Sequence, residues 1–69
     1  MITLNEFITN IALTTEANTD LVNTLAIGFN LDHTDLKRQL TRIALQACTD
    51  GDSWKAVWIE KLIVVIDQA

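Results

Sequence analysis

The chain has 69 residues, of which 49% are hydrophobic, with no proline and a net charge of −4 at pH 7. This length and composition predict a single folded domain over residues 1–69 and exclude a disordered tail. The acidic balance disfavours unspecific binding to phosphate backbones or anionic membranes, but it is compatible with a basic protein partner.

The charged residues are distributed unevenly along the chain. Residues 1–36 contain five acidic side chains and no lysine or arginine, and all five basic side chains come after them. The first half of the chain is therefore predicted to present only negative charge, which suits a basic protein surface.

Sequence features relevant to the cell compartment are few. A single cysteine, Cys48, rules out an internal disulfide, and its place beside the apolar Ala44 and Ala47 predicts a buried, unreactive thiol. The first residues lack the basic and apolar regions of a signal peptide. The longest apolar stretch, residues 54–66, is too short and too charged to span a bilayer. We expect a cytoplasmic protein with no membrane association.

A first helix is predicted from Thr3 to about Leu13. Thr3 and Glu6 have the spacing of a capping box. The apolar residues that follow repeat at helical spacing: Leu4, Phe7, Ile8 and Ile11. We expect a break at Thr14 and Thr15, because the apolar stripe does not stay in phase beyond them. The alternative is one long, kinked helix.

The second helix is predicted from Glu16 to Gly28, and the third from Asp32 or Thr34 to about Cys48. Between them, residues 25–40 have the pattern of a helix-turn-helix-like joint. The second helix closes on Gly28, Phe29 and Asn30, and Asp32 caps the third.

The third helix has the cleanest apolar period in the chain: Leu36, Leu40, Ile43, Ala44 and Ala47. Leu45 falls off this stripe and is predicted to be an exposed apolar contact. Gly51 follows the helix and is predicted to supply a left-handed cap.

The last helix is predicted from Trp54 to about Asp67, capped by Asp52 or Ser53. Ten of the thirteen residues from 54 to 66 are apolar, and a helix that is apolar on most sides is buried on most sides. Three short helices cover only one of its faces, so we expect the rest to form a homodimer seam or to bind another protein. The predicted interface residues are Trp54, Trp58, Ile59, Leu62, Ile63 and Ile66. Core packing of the two tryptophans, or a strand over residues 62–66, is the alternative.

The segment from Val22 to Leu36 resembles the helix-turn-helix of DNA-binding proteins. With Val22 in the first place, the fourth, eighth, tenth and fifteenth places are apolar, as in that motif: Leu25, Phe29, Leu31 and Leu36. Ala26 is the small residue of the fifth place, and Asn30 is the turn residue of the ninth.

This resemblance implies a DNA reader over residues 22–42. Phosphates would be contacted by Lys37, Arg38 and Arg42, and bases would be approached by His33 and Thr34. Two carboxylates, Asp32 and Asp35, lie at the helix end that normally meets DNA, and they disfavour this alternative.

No catalytic constellation, metal-ligand spacing or phosphate loop is present in the sequence. We therefore expect a non-enzymatic protein without a cofactor or metal. The favoured prediction is a small protein–protein interaction module, such as a regulator, inhibitor or adaptor, that acts through its apolar C-terminal helix and acidic surface. The alternative is a minimal DNA-binding regulator.

Overall fold

Four α-helices follow one another along residues 2–68, the range that the computed structural model describes. They are α1 (Leu4–Ile11), α2 (Thr19–Gly28), α3 (His33–Thr49) and α4 (Ser53–Gln68). The predicted all-α class and bundle of four short helices are confirmed, and the alternative strand over residues 62–66 is wrong because that segment is helical. The Cα radius of gyration, 10.9 Å, matches the value of about 11 Å expected for a compact chain of this length. Across the described range, each helix falls short of the length and apolarity needed to traverse a bilayer.

The hydrophobic core lies where the four helices meet. Every helix contributes to its largest fully buried side chains: Ile8, Val22, Leu25, Leu36, Leu40, Ile59 and Leu62. The most extensive contact is between α3 and α4, which run antiparallel. Lys37 near the start of α3 reaches Asp67 near the end of α4, with 2.7 Å between Nζ and Oδ1. This helical hairpin is the platform against which α2 packs.

Two predicted capping residues begin their helices as expected. The amide of Glu6 donates to Thr3 Oγ1 at 3.1 Å, and the amide of Asp35 donates to Asp32 Oδ1 at 2.8 Å. Each side chain satisfies an amide that has no partner within its helix.

The boundary between α1 and α2 differs from the prediction. α1 ends at Ile11, two residues before the predicted Leu13, and α2 begins after Asn18 rather than at Glu16. The amide of Leu21 donates to Asn18 Oδ1 at 2.8 Å, so this asparagine acts as the cap. The expected break between the two helices is confirmed, and one long kinked helix is wrong.

Asn30 closes α2 in a left-handed conformation, with φ of 54°. Its amide donates to the carbonyl of Ile27 at 3.2 Å, and the amide of Leu31 donates to that of Ala26 at 2.9 Å. These two bonds form a Schellman motif, which satisfies carbonyls at the helix end. The predicted helix-turn-helix-like joint and its left-handed residue are confirmed.

Gly51 closes α3 in the same way, with φ of 83°. Its amide donates to the carbonyl of Cys48 at 3.3 Å, and the amide of Asp52 donates to that of Ala47 at 2.8 Å. The predicted left-handed cap at Gly51 is confirmed, and the turn reverses the chain into α4.

Lys55 is the one buried charged side chain among residues 2–68, with 8% exposure. Its Nζ donates to Asn5 Oδ1 at 2.6 Å and to Thr9 Oγ1 at 2.7 Å, both on α1. The Thr9 hydroxyl in turn donates to the carbonyl of Asn5 at 2.9 Å. This network links α1 to α4 by hydrogen bonds from the charged Lys55 ammonium to two neutral side chains.

We expect Asn30→Ala to lower the free energy of unfolding by about 1 kcal/mol, because alanine tolerates the left-handed region poorly. Asn30→Gly should match or exceed the wild type. Chemical denaturation measures both, with Asn23→Ala, at an exposed position inside α2, as the control. An Asn30→Ala variant as stable as the control would contradict the strained turn.

We expect Thr9→Val to cost about 1.5 kcal/mol of unfolding free energy, because the buried Lys55 loses a hydrogen-bond acceptor at a partly buried site. Thr41→Val is the matched control: Thr41 also donates to a carbonyl four residues earlier, but its hydroxyl accepts from no lysine. If thermal melts show the same loss of stability for the two variants, the hydrogen bond between Lys55 and Thr9 does not stabilise the fold.

Candidate interaction surface

The inner face of α4 is enclosed by the chain itself. Ile59 and Leu62 have no exposed surface, and Ile66 is 7% exposed. These three residues were predicted to belong to an external interface, and the structure corrects that prediction. They follow one another at helical spacing, and the other three helices cover more of α4 than the sequence suggested.

The remaining predicted interface residues are partly accessible. Trp54 is 42% exposed, whereas Trp58 and Ile63 are half-buried and pack against the core. Trp58 Nε1 donates to the carbonyl of Thr15 at 2.9 Å, and so ties the segment between α1 and α2 to α4. Trp58 therefore has a structural role at the edge of the core.

The outer face of α4 carries an apolar row, formed by Trp54, Val57 and Val64. Both valines are 51% exposed. The three positions are separated by three and seven residues, which places them along one side of a helix. Lys61 lies on the same side, between the valines. Sequence reasoning grouped Val57 with the apolar stripes and did not single out either valine as exposed.

Leu45 is a further exposed apolar residue, on α3. It is 64% exposed, which confirms the prediction from its position off the core stripe. It lies about 2.5 helical turns after the buried Leu36 and so points to the opposite side of α3. Leu45 on α3 and the α4 row are therefore exposed apolar residues of the same helical hairpin. We call Leu45 and the α4 row together the hairpin surface.

The basic side chains are largely engaged. Lys55 is buried in the α1 network, and Lys37 pairs with Asp67. Arg38 Nη1 lies 3.8 Å from Asp35 Oδ1, a longer pair between exposed groups. These contacts reduce the positive charge available to a phosphate backbone.

The five predicted DNA contacts do not all line one cavity. His33, Thr34 and Lys37 line a shallow cavity beside the end of α4, whereas Arg42 lines another cavity beside the start of α1. His33, Thr34, Arg38 and Arg42 are exposed. The joint has the helix, turn and helix order of the motif, and the carboxylate of Asp67 lines the first cavity, where it pairs with Lys37.

A second candidate site lies between α1 and α2. A cavity of about 420 Å³ is lined mainly by apolar side chains, including Phe7, Leu25 and Phe29. The two phenylalanine rings meet edge to face, with centroids 5.9 Å apart and planes at 76°. Sequence reasoning assigned these residues to apolar stripes and missed the cavity, because it arises from the gap between two helices.

Other groups with reactive side chains remain separate. Cys48 is exposed, and the prediction of a buried thiol is wrong because position 48 is turned away from the core face that Ala44 and Ala47 occupy. No group of three His, Cys, Asp or Glu side chains in the described part of the chain is arranged to hold a metal ion.

Comparison of the chain with protein-family models, curated proteins and solved structures finds no match.

We expect Trp58→Ala to lower the free energy of unfolding by about 3 kcal/mol, because it removes packing and a partly buried hydrogen bond. Trp54→Ala is the matched control on the same helix and should cost less than about 1 kcal/mol, as for other exposed positions. Equal losses in urea denaturation would contradict the assignment of Trp54 to the surface and Trp58 to the core.

Proposed function

We propose that the protein is a non-enzymatic protein–protein interaction module, a regulator, inhibitor or adaptor, that binds through the hairpin surface. The observation that carries this proposal is the exposure of Trp54, Val57 and Val64 along one side of α4. Apolar residues exposed together mark interaction sites more often than isolated ones do, and tryptophan is enriched among residues that dominate binding energy.

The charge of the molecule supports a protein partner rather than a nucleic acid. The net charge is −4, and two of the five basic side chains, Lys37 and Lys55, are already engaged. A second copy of the chain is the first partner to test, since the hairpin surface is mainly apolar and obligate homodimer interfaces are rich in apolar residues. We place the protein in the cytoplasm, where the exposed thiol of Cys48 would stay reduced.

The double variant Val57→Glu and Val64→Glu tests this proposal. Both side chains are exposed, so the fold should be retained while the apolar row is interrupted by charge. We expect the wild type to gain mass with concentration in light scattering and the double variant to remain monomeric. The control Thr19→Glu and Asn23→Glu adds the same charge at exposed positions on α2 and should behave as the wild type.

A wild type that remains monomeric would exclude self-association and direct the test to another protein. Capture from the native host lysate should then recover a reproducible partner with the wild type and the control, but not with the double variant. Recovery of no partner, or of the same partner with all three proteins, would contradict the proposal.

The joint between α2 and α3 supports a second candidate function, DNA binding by residues 22–42. Its left-handed Asn30 and buried Leu25 and Leu36 give the expected backbone form. The acidic Asp32 and Asp35 oppose it. Binding would weaken steeply as salt is raised, and a failure to shift duplex DNA at low salt with micromolar protein would exclude it.

A further inference from the structure

The cavity between α1 and α2 is separate from the hairpin surface and has its own chemistry. Ile2, Phe7 and Leu25 contribute apolar walls, and among residues 2–68 no charged side chain lines the cavity. Four of the seven lining residues are themselves exposed, so the cavity opens to solvent on one side. Ligand pockets enclose most of a small molecule, whereas an open apolar slot suits one side chain presented by a larger partner.

Gly28 lines this cavity without being required by the fold. Its φ is not in the left-handed region, and a Cβ added to it would meet no atom within 4 Å. Glycine at an ordinary helical position is less favourable than alanine. Glycine at position 28 is therefore less stabilising than alanine would be, and it leaves the space beside this edge of the cavity free of a side chain.

Three acidic residues are close in sequence to residues that line the cavity. Glu6 precedes Phe7, Asp20 lies one turn before Thr24, and Asp32 closely follows Asn30; all three carboxylates belong to exposed residues. Residues 1–36 contain no lysine or arginine to offset them. The C-terminal end of α2, which borders the cavity, adds partial negative charge from its peptide dipoles.

We propose that this cavity binds one large apolar side chain, preferably aromatic, from a lysine- or arginine-rich segment of a partner protein, and that Gly28 keeps it open. The apolar walls receive the anchor, and the negative charge of residues 1–36 attracts the basic residues on either side of it. An aromatic anchor can also meet the edge-to-face pair of Phe7 and Phe29. This inference rests on the proposed function only in assuming that the partner is a protein, because the cavity is separate from the hairpin surface.

The test uses the full chain labelled with ¹⁵N and a nine-residue lysine-rich peptide with one central tryptophan. Two further peptides serve as comparisons: one has alanine in place of the tryptophan, and one has glutamate in place of the lysines. We expect the first peptide to shift the amide resonances of Phe7, Gly28 and Phe29 in a saturable manner. The alanine peptide should bind about tenfold more weakly or worse, as expected when burial of one large apolar side chain is lost.

Variants at the cavity edge separate binding from folding. Gly28→Leu places a side chain in open space, so the protein should remain folded while the lysine–tryptophan peptide binds at least about tenfold more weakly. Asn23→Leu is the matched control, since it adds the same side chain at an exposed position of α2 outside the cavity. Gly28→Ala should raise the melting temperature and weaken binding less than Gly28→Leu does.

Three results would overturn the inference. The first is equal binding of the tryptophan and alanine peptides, and the second is equal or tighter binding of the glutamate peptide. The third is an affinity for the lysine–tryptophan peptide that Gly28→Leu leaves unchanged. If the resonance shifts were then confined to Val57 and Val64, the peptide would bind the hairpin surface and not this cavity. If the peptide binds the cavity and the hairpin surface associates with nothing, the cavity inference holds and the proposed role of the hairpin surface fails.

Discussion

The apolar contact between α3 and α4 is the constraint on which the rest of the structure depends. Leu36 and Leu40 on α3, and Ile59 and Leu62 on α4, have no exposed surface and belong to one core cluster. The left-handed Gly51 turns the chain so that these faces meet. A chain of 69 residues buries only a modest fraction of its surface. Its remaining helix faces are therefore left to solvent or to a partner.

Much of this fold could be predicted because local signals agree with tertiary packing. The stripe of α3, the caps at Thr3 and Asp32 and the left-handed Asn30 all follow from spacing and turn chemistry. The observed start of α2 differs from the prediction because Asn18 caps the helix through its side chain. The local hydrogen bonding that makes asparagine a mediocre residue inside a helix makes it a good cap.

The candidate site was harder to predict, because α4 is apolar on nearly all sides and periodicity cannot select its inner face. Residue type even misleads there: Lys55 is buried, whereas Val57 and Val64 are half exposed. The polar partners that make burial of Lys55 possible come from α1, some fifty residues earlier in the chain. The cavity between α1 and α2 likewise depends on how two helices approach each other, which no single stretch of sequence encodes.

The central claim is that the outer row of α4 is left open by the fold and is covered only by association. Methyl NMR with a soluble paramagnetic agent measures this directly at Val57 and Val64, with Ile59 and Leu62 as internal references for buried side chains. In dilute protein, the two valines should relax rapidly while the references do not. Protection of the valines should appear only when a partner, or a second copy at high concentration, is present. Valines that are as protected as the references in the dilute monomer would contradict the claim.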